Sequence, residues 1–211
     1  MRRVFVDAGA PQHDAIEEAA TWIRQGGVIV IPTDTLYGLA VDPFNATAVA
    51  RIFAIKGRSR DQALPLLAAD PTQIAAHFGP LPQPVERLAA RFWPGPLTLL
   101  LPAPTTFAPE VSGGTGLVGV RVPADAIARA VCAGAGRPIT ATSANVSGQP
   151  ATADPDEVER TLGDAVDFLL DTGSTPGGAP STIVDTAAGR PRLIRAGAVP
   201  WDDIVRCLQD A

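Results

Sequence analysis

The residues best suited to bind a charged ligand are Lys56 and Arg58, which stand on either side of Gly57. Lys56 is the only lysine of the chain, so the other strongly basic side chains are all arginines. An ammonium is a flexible point charge and a guanidinium is a planar fork, and the two together suit a polyphosphate. The same residues also fit a helix C-terminus, because residues 46–55 have a helical pattern and Gly57 stands at the cap position. The two roles are compatible.

Hydroxyl and amide side chains form a second group of candidates, at the ends of predicted strands. Thr33 and Thr35 follow the β-branched run 28–31, which predicts a strand buried on both faces. Ser143 and Asn145 follow a short strand predicted over residues 138–142. In open α/β sheets ligands bind where strands end. The alternative is a pair of turns in which these side chains bond their own backbone.

Two arginines lie on predicted strands. Arg121 is surrounded by apolar residues in a strand predicted over residues 117–122, and Arg195 ends a strand predicted over residues 192–195. A buried arginine is costly unless it is paired. A structural partner such as a helix-end carbonyl would satisfy Arg121, and so would the carboxylate or phosphate of a ligand.

Composition narrows the class of protein. The chain has 211 residues, of which 46% are hydrophobic and 18% charged, so we expect a folded core and no long disordered tail. The net charge of −5 argues against a general binder of nucleic acids or membrane surfaces. The cysteines (Cys132, Cys207) and histidines (His13, His77) lack metal-ligand spacing. Because no signal peptide or membrane-spanning stretch is visible, we expect a cytoplasmic location.

Helical and strand patterns alternate along the chain, which predicts one α/β domain over residues 1–211 around a twisted sheet of mixed strand direction. The first helix is predicted over residues 14–25, with Asp14 and Glu17 as a capping box. Residues 102–116 are predicted to be a mobile lid or a plain linker. Strands at 181–185 and 192–195 are predicted to pair through a turn containing Gly189, and a last helix is predicted over residues 200–209.

Six segments in a fixed order carry a family resemblance that extends over about residues 12–197. They are Pro32-Thr33-Asp34-Thr35-Leu36-Tyr37-Gly38-Leu39, Lys56-Gly57-Arg58, Trp93-Pro94-Gly95-Pro96-Leu97-Thr98, Gly119-Val120-Arg121-Val122-Pro123, Thr142-Ser143-Ala144-Asn145-Val146-Ser147-Gly148 and Pro180-Ser181-Thr182-Ile183-Val184-Asp185. Together they resemble the YrdC-like threonylcarbamoyl-AMP synthases. The resemblance implies the YrdC-like fold, with an open cleft at strand ends, in its single-domain form.

The resemblance also implies a reaction. L-threonine and bicarbonate (or CO2) form an N-carboxylated threonine, whose carbamate oxygen attacks the α-phosphate of ATP, with Mg²⁺ on the phosphates. The products are threonylcarbamoyl-AMP and pyrophosphate. The adenylate then supplies the machinery that modifies adenosine 37 of tRNA, which makes that machinery, and tRNA itself, expected partners.

Site roles follow by analogy with the family. The catalytic pair would be Lys56 and Arg58, holding phosphates, while Arg121 would take the threonine carboxylate. Threonine would also contact the hydroxyls of Thr35, Ser143 and Ser181. The nucleotide and its phosphates would also contact Asn145 and Arg195.

The chain departs from the family pattern in one segment. Ser59 follows Arg58 where the family commonly has a proline, and Gln62-Ala63-Leu64 replaces the usual Asn-Pro-Leu. Residues 66–69 carry no histidine, although the family often has one there. These changes affect one wall of the expected threonine pocket.

Three other functions compete with the synthase. One is a relative that handles another carbamoyl adenylate, as in hydrogenase-maturation carbamoyltransferases, although those modules sit in long chains with zinc-finger-like cysteines. Another is a non-catalytic RNA-binding module, which the net charge of −5 disfavours. The third is a structural subunit of a modification complex, which would not need to keep Lys56, Arg58, Ser143 and Asn145.

Overall fold

The computed structural model describes residues 1–187 and 190–209, and within them helices and strands alternate as predicted. The helices are α1 (His13–Arg24), α2 (Ala46–Lys56), α3 (Pro71–Phe78), α4 (Gln83–Phe92), α5 (Ala126–Ala135), α6 (Pro155–Leu162) and α7 (Trp201–Gln209). The strands are β1 (Arg2–Phe5), β2 (Ile29–Ile31), β3 (Gly38–Ala40), β4 (Leu66–Leu67), β5 (Leu97–Pro102), β6 (Leu117–Arg121), β7 (Ile139–Thr140), β8 (Thr142–Ser143), β9 (Phe168–Asp171), β10 (Thr182–Asp185) and β11 (Arg192–Arg195).

The strands form two sheets where a single sheet was expected, and both are of mixed direction. The first sheet has the order β1-β9-β2-β3-β8, and the second has the order β11-β10-β5-β6-β4-β7. The predicted strand over residues 138–142 divides at Ala141 into β7 of the second sheet and β8 of the first. The chain therefore crosses from one sheet to the other within a few residues of Ser143, and this crossing brings the ends of both sheets together.

Two apolar clusters hold this arrangement. In one, α1 and α5 pack on β2 and β9 through side chains such as Ile23, Val131 and Phe168. In the other, α2 and α4 pack against strands of both sheets through Ile52, Leu88 and Leu99. The β2 strand is fully buried, as its unbroken β-branched run predicted.

Several local signals are confirmed and one is wrong. Asn45 caps α2 by accepting a hydrogen bond from the Ala48 amide, and Asp70 caps α3 in the same way. The capping box predicted for α1 is wrong, because the helix begins earlier, at His13, and its N-cap residue Gln12 makes no side-chain bond. Asp14 lies in the first turn, where a carboxylate interacts favourably with the helix dipole.

The long segment between β5 and β6 is packed against the body of the protein. Residues Pro109–Ser112 form a 3₁₀ turn, in which Val111 is fully buried. Phe107 makes edge-on contacts with Phe44 and Phe78. The strands β10 and β11 pair antiparallel as predicted, whereas Gly189 of the expected turn lies outside the described residues. In the part of the chain that the structure describes, no helix is both long and apolar enough to cross a membrane.

Candidate active site

A cavity of about 510 Å³ opens between the two sheets, where the polar strand ends meet. Its walls come from the segment before β3 and from β8 on one side, and from β4, β5, β6 and β10 on the other. The predicted site residues that line it are Thr35, Arg58, Arg121, Ser143, Ser181 and Arg195. Side chains up to 160 positions apart in the sequence therefore converge on one space, as the prediction of a common cleft required.

Arg121 has a structural partner, which is a carboxylate and not the helix-end carbonyl considered above. Its Nη1 atom donates to both carboxylate oxygens of Asp34, each at 2.8 Å. Both side chains are largely buried, at 10% and 15% exposure. The ion pair satisfies one nitrogen of the guanidinium, and the remaining N–H groups leave the fork able to bind a second carboxylate in the cavity.

Thr35 lies in a tightly bonded turn. The Thr33 hydroxyl donates to the Leu36 carbonyl at 2.7 Å and lies 3.2 Å from the Thr35 hydroxyl. The Thr35 carbonyl accepts from the Thr175 hydroxyl at 2.9 Å and from the Gly177 amide at 2.8 Å. Thr35 therefore belongs both to a self-bonded turn and to the cavity wall, because these bonds fix the backbone and leave its side chain on the lining.

Ser181 and Arg195 lie with Thr98 on the wall that the second sheet forms. The Ser181 and Thr98 hydroxyl oxygens are 2.8 Å apart, and Arg195 donates to the Ser181 carbonyl and hydroxyl at 2.8 and 3.0 Å. Partial burial and the positive charge of Arg121 lower the pKa of Arg195. Two guanidiniums that line one cavity and repel each other favour the binding of an anion beside them.

Arg58 lies where the cavity meets a neighbouring hollow of about 480 Å³. Its Nη2 atom donates to the carbonyls of Gln62 and Ala63 at 2.8 and 3.0 Å. Among the described residues its buried Nε–H finds no acceptor. Burial lowers the pKa of Arg58, so an anion placed here would relieve an unfavourable charge.

Lys56 and Asn145 line the neighbouring hollow and not the main cavity. The hollow shares Arg58, Thr142 and Ser143 with the cavity, so the two spaces are adjacent. Lys56 is only 3% exposed, which is less than expected for a residue of the open cleft that the family resemblance implied. The Gly57 cap is present, in the left-handed conformation, so the cap and the charged pair do coexist.

Sequence reasoning missed several residues of the cavity. Thr98, which lines the cavity, and Asp34, which pairs with Arg121 from outside the lining, belong to the quoted motifs, but no role was predicted for either. The apolar part of the lining was also missed, and it includes Pro65, Leu66, Leu67, Leu100 and Ile183. Leu66 and Leu67 fall in the segment that departs from the family pattern. In this chain that segment therefore contributes apolar side chains to the cavity wall. The alternation of these strands could have indicated which residues share the Arg121 face.

The cavity has the character of a site for a small anionic molecule with an apolar part. Its volume falls within the usual range of roughly 300–1,000 Å³ for such sites. Guanidiniums and hydroxyls supply the polar contacts, and the described residues include no group of three or more histidine, cysteine or acidic side chains suited to a metal ion. The chemistry that fits is the binding and charge neutralisation of carboxylate and phosphate groups.

Comparison with known proteins agrees with this geometry. The family model described as "Telomere recombination", which groups Sua5, YciO and YrdC, matches residues 21–197. A threonylcarbamoyl-AMP synthase of Pyrococcus abyssi is 37% identical over 193 residues, 92% of this chain and 57% of that protein. One from Halorhodospira halophila is 42% identical over 155 residues, 74% of this chain and 81% of that protein.

The similarity to solved structures extends over as much of the chain as the sequence similarity does. The crystal structure of P. abyssi Sua5 complexed with L-threonine matches with a TM-score of 0.92 at 35% identity, covering 99% of this chain and 61% of that one. This chain therefore spans less than two thirds of the length of the Pyrococcus protein. The fold implied by the six motifs is confirmed, and the chain belongs to the Sua5/YciO/YrdC family.

Proposed function

We propose that the chain is an L-threonylcarbamoyladenylate synthase, which converts L-threonine, bicarbonate or CO2, and ATP into threonylcarbamoyl-AMP and pyrophosphate. The observation that carries the proposal is the convergence of three arginines and three predicted hydroxyl residues on one cavity. The relatives named threonylcarbamoyl-AMP synthase, and the L-threonine complex of P. abyssi Sua5, support the choice of substrate.

The proposal assigns the part of the cavity around Arg121 to threonine. In the proposal Arg121 uses the N–H groups that Asp34 does not occupy to bind the threonine carboxylate. The hydroxyls of Thr35, Ser143 and Ser181 bond the polar atoms of the amino acid. The apolar wall that includes Leu66 and Leu67 offers a surface for its methyl group.

The proposal assigns Arg58 and Arg195 to the nucleotide. The carbamate oxygen of N-carboxythreonine attacks the α-phosphorus of ATP, a new P–O bond forms, and pyrophosphate departs with the electrons of the broken bond. Such an in-line displacement needs positioning and charge neutralisation more than a protein nucleophile. Arg58 and Arg195 would neutralise the phosphate charge, and the Asn145 amide would contact the nucleotide from the adjacent hollow.

The Mg²⁺ in the proposal belongs to the substrate MgATP. Among the described residues no acidic cluster could hold a resident ion. Magnesium commonly keeps its waters and binds phosphates with one or two protein ligands, so delivery with ATP suits this cavity. We further propose that the adenylate passes to the machinery that threonylcarbamoylates adenosine 37 of tRNA, and that this takes place in the cytoplasm.

Pyrophosphate release with each component left out in turn tests the proposal. We expect release to require MgATP, L-threonine and bicarbonate together, to stop on chelation of Mg²⁺, and to fall sharply when L-serine replaces L-threonine. Release with carbamoyl phosphate and without threonine would indicate the carbamoyl-adenylate relative instead. A folded protein that releases no pyrophosphate but shifts tRNA in a salt-sensitive gel assay would be a binding module.

A further inference from the structure

The ammonium of Lys56 is enclosed by oxygen atoms of the turn that follows β8. Its Nζ atom donates to the Ser143 carbonyl at 2.6 Å, the Asn145 carbonyl at 2.9 Å and the Asn145 side-chain oxygen at 3.0 Å. The Ser143 hydroxyl oxygen lies at 3.4 Å. An ammonium has three N–H donors, so these three short contacts use all of them.

The backbone of Lys56 also binds this turn. The Lys56 carbonyl, at the last residue of α2, accepts from the Ser147 amide at 2.8 Å. Carbonyl groups at a helix C-terminus lack partners within the helix, so this bond satisfies one of them. Side chain and main chain of one residue therefore attach the end of α2 to both ends of the segment 143–147.

The turn depends on this attachment for the orientation of its functional groups. The Ser143 hydroxyl donates to the Asn145 side-chain oxygen at 2.5 Å, the same atom that Lys56 binds. The Asn145 amide nitrogen donates to the Gln149 carbonyl at 2.6 Å. Two backbone carbonyls and one amide oxygen converge within this turn, and without the ammonium each of them would lose a charged hydrogen-bond donor.

These contacts oppose a direct phosphate role for Lys56. The residue is 3% exposed and borders only the adjacent hollow, whereas Arg58 borders both spaces and has an unpaired Nε–H among the described residues. To bind a phosphate, Lys56 would have to give up bonds that hold the turn together.

We propose that Lys56 is a positioning residue that fixes the Ser143–Asn145 turn for substrate binding, and that Arg58, and not Lys56, contacts the phosphates. The proposal rests on the proposed function for the identity of the substrates. It revises the role that the family resemblance implied for Lys56, and it leaves the roles of Ser143 and Asn145 dependent on a residue outside the cavity.

The charge state of Lys56 fits this role near neutral pH. Burial, and then repulsion from the Arg58 charge, lower its pKa to about 8. At pH 7 the ammonium therefore still has three donors for its three acceptors. Because an unfolded lysine titrates near pH 10.4, the unfolded chain binds more protons between about pH 8 and 10.4. This group then makes the free energy of unfolding rise with pH across that interval.

Threonine binding in the absence of ATP separates the two roles. We expect Lys56→Met to weaken L-threonine binding at least tenfold by calorimetry, because the Ser143 hydroxyl loses its position, and to weaken MgATP binding as well. Arg58→Met is the matched comparison, and it should weaken MgATP binding more than threonine binding. Arg160→Met, on the exposed face of α6, is the surface control. Lys56→Met that binds threonine normally and loses only MgATP affinity would overturn the proposal.

A measurement on the unmutated protein covers the case in which Lys56→Met does not fold. Because Lys56 is the only lysine, ¹⁵N,¹³C-lysine labelling gives a single side-chain signal in the full chain. We expect its ammonium protons to exchange slowly, its Cε shift to titrate near pH 8, and both to stay nearly unchanged on addition of MgATP. A freely exchanging ammonium whose shift follows MgATP saturation would contradict the positioning role. If wild-type protein binds no threonine, the proposed function fails, while this signal still tests the contacts of Lys56.

Discussion

At the scale of single residues, the site relies on guanidiniums whose environments differ. Arg121 is held by the Asp34 carboxylate, Arg195 by the Ser181 carbonyl, and Arg58 by two backbone carbonyls. Each arrangement consumes some N–H donors and fixes the direction of the others. A rigid planar fork with spare donors is a better receptor for carboxylate and phosphate than a flexible ammonium.

Arg121→Lys tests whether the fork itself is required. A hydrogen bond to a charged group contributes about 1.5–3 kcal/mol, so losing the proposed two-point contact with the threonine carboxylate should raise the KM for threonine roughly 10- to 100-fold. The KM for ATP should change much less. Steady-state pyrophosphate release at varied threonine measures both constants, with Arg160→Lys as the surface control. An unchanged KM for threonine would refute the assignment of Arg121.

Residue types and order predicted which side chains meet, but not how they pair. Thr35, Arg121 and Ser181 were identified from the motifs, and all line the cavity. The Asp34–Arg121 ion pair joins residues 87 positions apart, and no local pattern encodes it. The burial of Lys56 also depends on the turn at Ser143–Asn145, which belongs to another element.

At the scale of elements, caps determine where the charged residues are placed. Asn45 and Gly57 define the two ends of α2, and the helix ends at Lys56 with Arg58 two residues further on. Both caps were predictable, because their signals are local and chemical. Strand boundaries were less predictable. The pattern of residues 138–142 predicts one strand, whereas its two parts pair in different sheets, which only tertiary contacts determine.

Gly57→Ala tests the cap at the end of α2. Gly57 has φ 58°, a left-handed conformation that costs a residue with a Cβ about 1 kcal/mol. No atom lies within 4 Å of a Cβ built there, so backbone strain is the whole expected cost. Urea unfolding measures it. Gly163→Ala is the matched control, because Gly163 has φ −46° and should tolerate alanine without loss of stability. Equal effects of the two substitutions would contradict this account.

At the scale of the whole molecule, the candidate site lies where the two sheets meet. Each sheet contributes polar groups at its strand ends, and the crossing at Ala141 brings them together. The sequence indicated an α/β fold of mixed strand direction, and that is confirmed. It did not reveal a second sheet, because strand pairing depends on contacts between distant segments.

The proposed reaction also belongs to this scale, because threonine and ATP must occupy one cavity side by side for the carbamate to reach the α-phosphorus. The same cavity is lined by Arg121, which the proposal assigns to threonine, and by Arg58 and Arg195, which it assigns to the phosphates. A product that joins parts of all three substrates is its direct consequence.

Mass spectrometry of the product made from ¹³C-bicarbonate, L-threonine and MgATP tests this claim most directly. The account predicts an adenylate that carries both the threonine and the ¹³C label, formed together with pyrophosphate and absent when threonine is omitted. Threonyl-AMP without the label, or AMP as the only nucleotide product from the first moments of the reaction, would contradict it.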